Sequence, residues 1–194
     1  MKQGRMTYKV AAGLIFVLAG AVVISGMFIP FFFESPSLWY KFGAEKAVLQ
    51  WGKAAGLMAL GLMACQALWV GRFARLSRAV SLKRLFSLHR ACGILITLLV
   101  IIHPVLILWA DGFAMIPLER RYWPEFLGIV VLVMVLVVAV SSIWRAKLKI
   151  SAKKWQRFHR VSTPVVTILA LVHAGTVTET FDLTLPGIWL GLIA

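Results

Sequence analysis

Apolar positions in this chain gather into long blocks instead of the alternating stripes of a water-soluble protein. Blocks cover about 10–33, 48–70, 86–109, 126–144 and 158–178, with a shorter one at 183–194. The first five meet or nearly meet the roughly 20 residues that a helix needs to cross a hydrocarbon layer. The sixth spans only about 18 Å as a helix, and no Lys or Arg follows it as an anchor. Either the chain is cut short there or the last helix stops inside the bilayer. The first block is too long for a signal-peptide core, so it is expected to be a signal anchor. The pattern predicts an all-α integral membrane protein, a six-helix transmembrane bundle with a short or truncated sixth helix, as one domain over residues 1–194.

Composition strengthens this reading, and charge orients it. The chain is 61% hydrophobic, where soluble domains sit near about half. Its net charge of +14 would suit nucleic acid, but the placement of the charges argues for no nucleic-acid partner. Basic residues cluster at Lys2, Arg5 and Lys9, at Arg72, Arg75, Arg78, Lys83, Arg84 and Arg90, and at Arg145, Lys147, Lys149, Lys153, Lys154, Arg157 and Arg160. These clusters fall on alternate sides of successive blocks, hence on one face of the membrane. The acids Glu34, Glu45, Asp111, Glu119, Glu125, Glu179 and Asp182 occupy the other segments. The positive-inside rule makes the basic face cytoplasmic, with both termini at or near it. The expected location is a bacterial inner membrane, with lipid as the first partner.

The candidate chemistry lies in the histidines. The chain has four, and they form two pairs with identical spacing: His89 with His103, and His159 with His173. Fourteen residues at about 100° each end about 40° short of four full turns, so each pair shares one helix face. Its members lie roughly 21 Å apart along the axis, toward opposite edges of a core about 30 Å thick. Leu-His-Arg at 88–90 recurs as Phe-His-Arg at 158–160, Thr97 as Thr167 and His103 as His173. This repeat of 70 residues places the third and fifth segments parallel. His89 then shares an inner level with His159, and His103 shares an outer level with His173. Paired neutral imidazoles suit bis-His haem, which carries electrons without an open coordination site. The expectation is two b haems, one above the other. Arg90 and Arg160 are placed to pair with inner propionates, with Arg120, Arg121 and Lys53 as outer candidates. No C-x-x-C-H occurs, which excludes covalent c-type attachment. Cys65 and Cys92 read as small buried hydrophobes. A haem-free transporter is the competing class. Divalent-metal transport would be expected to use intramembrane acids, and all seven acids lie outside the blocks.

The two segments with His-x13-His and an Arg after the first His resemble the ferric reductase-like transmembrane domain. That superfamily includes NADPH oxidases, ferric-chelate reductases and the haem-binding membrane subunit of the bacterial methionine sulfoxide reductase system. The similarity covers essentially the whole chain. It implies that His89 and His159 bind an inner haem and His103 and His173 an outer one. Electrons would pass singly from a cytoplasmic or membrane donor to an external acceptor such as ferric iron or oxygen. Oxidases and ferric reductases of this kind continue into flavin and nicotinamide domains. This chain has no Gly-rich dinucleotide fingerprint after a strand. It is therefore expected to draw on flavin or quinone through a partner, either a flavin reductase domain or subunit or a periplasmic reductase. Short length favours the sulfoxide-repair branch, in which a quinol- or flavin-fed subunit serves the periplasmic enzyme. The full set of four histidines favours the other branch.

The remaining features have plainer readings. The basic loop at 145–160 enforces topology and could also dock an acidic flavoprotein or anionic lipid. The tryptophans near both boundaries, Trp155 among them, form aromatic belts. Gly13, Gly20, Gly52, Gly56 and Gly61 read as close-packing positions.

Overall fold

Long apolar runs in lipid must satisfy their backbone internally, and helices do so within one segment. The structure, a computed structural model, describes residues 2–71, 76–77, 79–114, 117 and 119–194. Arg72, Arg75 and Arg78 of the second basic cluster lie outside the described residues. Six helices of ten residues or more occur among those described: α1 (Lys2–Phe32), α2 (Gly43–Gly71), α3 (Leu82–Ala110), α4 (Trp123–Trp144), α5 (Ala152–Thr176) and α6 (Thr184–Ile193). One helical turn at Pro36–Trp39 and 3-10 turns at Arg120–Tyr122 and Glu179–Asp182 fill the connections. Most helices extend beyond their apolar blocks because the hydrogen-bonded backbone continues into the interface. Local chemistry sets some ends. The Ser151 side chain accepts from Lys154 N at 3.4 Å to cap α5, and Pro124 sits in the first turn of α4.

α1, α2, α3 and the stretch Arg120–Trp144 that includes α4 are long and apolar enough to cross a membrane. The chain is an integral membrane protein. α5 has 25 residues, enough in length, but its composition is diluted. Lys153, Lys154, Arg157, His159 and Arg160 fill its first turns, and His173 lies near its end. α6, at 10 residues, is too short by about half. It docks against α1, where Trp189 Nε1 donates to Val22 O at 2.9 Å. A side chain at Gly26 would collide with that indole.

Neighbours in sequence run antiparallel. Phe31 meets Trp51 near one end of α1 and α2, and Phe16 meets Trp69 near the other. α2 is central: it packs closely along α3 and α1 and more lightly on α5, while α4 packs along α5. α3 and α5 are not among the closely packed pairs. The main core joins Ile29, Leu60, Val131, Val135, Val166 and Trp189. Leu14, Leu98, Ile101, Val133 and Ile168 are exposed, as suits side chains bathed in lipid. The interval between α3 and α5 is where the histidines meet.

Candidate functional site

α3 and α5 each present two histidines toward the other helix. The His89 and His159 rings lie with centroids 6.0 Å apart and planes at 86°. Those of His103 and His173 lie 6.3 Å apart at 74°. A single metal between two imidazoles needs bonds of about 2.0 Å. With roughly 1.1 Å from each nitrogen to its ring centre, the centres fall about 6 Å apart. Both levels have the spacing that one metal ion between two imidazoles would require. Among the described residues, no three His, Cys, Asp or Glu side chains gather into a cage. Two imidazoles per level is a donor set that would suit a planar macrocycle bringing its own equatorial ligands.

The level near the acidic end is held by backbone. His103 Nδ1 lies 2.8 Å from Gly52 O on α2, and His173 Nδ1 lies 2.8 Å from Pro124 O on α4. A carbonyl can only accept, so each Nδ1 carries the proton and each Nε2 is left as a lone-pair donor. This outer contact orients a ligating histidine and raises its basicity. The carbonyls are reachable because the residue one turn on is glycine. A Cβ at Gly56 would lie 2.9 Å from His103 Nδ1 and 3.0 Å from its Cε1. A Cβ at Gly128 would lie 2.7 Å from His173 Cε1. The repeat seen in α3 and α5 thus extends to the preceding helices. Gly52 and Gly56 serve His103 as Pro124 and Gly128 serve His173, with a displacement of 72 residues.

The level near the basic end is built differently. The buried Gln66 of α2 places its side-chain amide against His89 Nδ1, His89 O and Gly93 N. On α5, Trp155 stacks on His159, with centroids 4.9 Å apart and planes at 22°, one helical turn earlier on the same face. Among the described residues, His159 Nδ1 and Trp155 Nε1 are buried without a hydrogen-bond partner. Position 138, reached from Gln66 by the same displacement of 72, is Val and offers no polar side chain. The repeat is broken at this level.

The charged candidates lie around these levels. Arg90 and Arg160 are exposed at the basic end. Arg121 pairs with Glu119 at 2.8 Å and lies over the Tyr122 ring. Lys53 donates to the buried Ser35 hydroxyl, next to the residue whose carbonyl holds His103. Lys41 bridges Asp111 at 3.0 Å and donates to Ala110 O at 2.6 Å. Intramembrane hydroxyls are satisfied within their own helices, as Thr97 Oγ1 is by Gly93 O and Thr167 Oγ1 by Thr163 O. Sequence reasoning singled out the four histidines but missed Gln66 and Gly128, and it gave Gly56 and Trp155 only packing and interfacial roles. The signal available for Gln66 was its position, an uncharged amide inside an apolar block.

Residues 55–176 match the family profile described as ferric reductase like transmembrane component. The match contains all four histidines together with Gly56, Gln66 and Gly128. The chain matches no curated protein sequence and no solved structure.

Proposed function

Because the chain belongs to the ferric reductase-like transmembrane component family, we propose that it is the dihaem b-type electron-carrying membrane part of an oxidoreductase. His89 and His159 hold one non-covalent haem, and His103 and His173 hold the other. The observation that carries this reading is the occurrence, twice along the same two helices, of imidazole pairs at single-metal spacing. Bis-imidazole haem supplies one-electron chemistry without an open site for substrate. No acid–base residue is required of the chain. Its histidines ligate, and Gly52 O and Pro124 O fix two of the tautomers.

The basic end faces the cytoplasm, as its Lys and Arg content suggests, in a bacterial inner membrane. Arg90 and Arg160 pair with propionates there, and Lys53, Arg120 and Arg121 serve the opposite level. Electrons come one at a time from a flavin or quinol on a partner at the basic end and leave to ferric iron or oxygen beyond the acidic end. In vesicles carrying a membrane-impermeant reductant on the basic side, haem-loaded protein should reduce an impermeant ferric chelate on the other side. His103→Ala and His173→Ala should abolish this transfer. Wild-type rates in both variants would overturn the proposal.

A further inference from the structure

Three of the four histidines have a contact at Nδ1, and one of these contacts is unlike the others. Gly52 O and Pro124 O can only accept. The Gln66 amide can accept or donate, depending on which way it faces. With its nitrogen toward the ring, the amide donates to His89 Nδ1 and, at 3.2 Å, to His89 O, while its oxygen accepts from Gly93 N at 3.2 Å. This orientation needs the imidazole proton on Nε2. Ligation through Nε2 needs the proton on Nδ1, and therefore the amide oxygen toward the ring. The orientation of Gln66 and the ligating tautomer of His89 are coupled through one short contact.

We propose that Gln66 is the positioning residue of the level near the basic end, its amide oxygen accepting the His89 Nδ1 proton when Nε2 binds iron. This inference rests on the dihaem reading above. Gln66 does through a side chain what Gly52 O and Pro124 O do through backbone. Turning the amide gives up its contacts with the His89–Gly93 backbone pair, so this level is held less tightly than the other. Among the described residues, His159, the second ligand there, has the Trp155 ring stacked on it and no hydrogen-bond partner at Nδ1. The two haems are therefore tuned separately. An acceptor at Nδ1 raises imidazole basicity and stabilises the ferric state, so its removal raises the midpoint potential of that haem alone.

The test is a spectroelectrochemical titration of purified haem-loaded protein: wild type, Gln66→Met and Gln66→Glu. Methionine keeps the length and shape of the side chain and removes its hydrogen bonds, whereas Glu keeps an acceptor. Haem per polypeptide is measured first, and two haems in the wild type establish the reading on which the inference rests. Gln66→Met should then raise one midpoint potential and leave the other unchanged. Gln66→Glu should leave that same potential at or below the wild-type value. Unchanged potentials in Gln66→Met, or an equal shift of both haems, would overturn the role. Tighter haem retention in Gln66→Met would also overturn it, because the amide would then be opposing ligation. One haem or none in the wild type would instead defeat the dihaem reading itself.

Discussion

Adding a single methyl group at Gly56 should empty the level near the acidic end. Alanine in place of a helical glycine ordinarily stabilises the helix by about 0.5–1 kcal/mol, because glycine loses more backbone freedom on folding. At Gly56 the new Cβ would stand 2.9 Å from His103 Nδ1 and 3.0 Å from its Cε1, several tenths of an ångström inside ordinary contact. The ring must retreat along α3, and its 2.8 Å bond to Gly52 O is lost. A lost hydrogen bond costs about 1 kcal/mol, and overpacking adds about 1–3 kcal/mol. At about 1.4 kcal/mol per tenfold change, haem affinity at that level should fall by roughly one to three orders of magnitude. Gly128→Ala should behave alike, since its Cβ would stand 2.7 Å from His173 Cε1. Gly13→Ala is the control: it lies exposed on α1, away from the histidine-bearing helices, and its Cβ would meet nothing within 4 Å. The assay is haem per polypeptide after washing with a haem scavenger, read with the reduced-minus-oxidised spectrum. Gly56→Ala and Gly128→Ala should each lose one haem while Gly13→Ala keeps both. If Gly56→Ala and Gly128→Ala retain both haems with unaltered spectra, the cradle reasoning is wrong.

Other expectations follow from the same geometry. Ring planes at 86° and 74° are close to perpendicular, so both ferric haems should give highly anisotropic low-spin EPR signals; the rhombic signals of parallel imidazoles would contradict this arrangement. His103→Ala should remove one haem and leave the haem of His89 and His159 reducible, which a spectral titration of the purified variant reads directly. Trp189→Ala should destabilise the protein by about 3–5 kcal/mol, because the indole fills the space over Gly26 and bonds Val22 O. A thermal unfolding midpoint in detergent equal to that of the wild type would show that α6 is not docked as described.

Much of this arrangement was legible before any coordinates, because it is written in side-chain type and spacing. The His-x13-His pairs and the repeat of 70 residues place four imidazoles at two heights on parallel helices, and the rings meet in those pairs. What holds the rings was not legible. Gly52 O and Pro124 O are backbone atoms common to every residue, so no side chain announces them. Gly56 looks like any small residue at a helix crossing, and its use appears only once His103 is seen against it. Gln66, a single uncharged amide in an apolar run, gains a role only where the antiparallel packing of α2 and α3 sets it against His89. α5 shows the reverse effect: the residues that give it chemistry, His159, Arg160 and His173, dilute the apolar pattern by which a span is recognised.

The most direct test of the account is the pyridine haemochrome of detergent-purified protein, expressed as haem per polypeptide. Two non-covalent b haems in the wild type, falling to one in His103→Ala and to one in His89→Ala, is the result expected of two independent imidazole levels. A wild-type protein that folds with full helical content and binds no haem, even after haem supplementation, would contradict it.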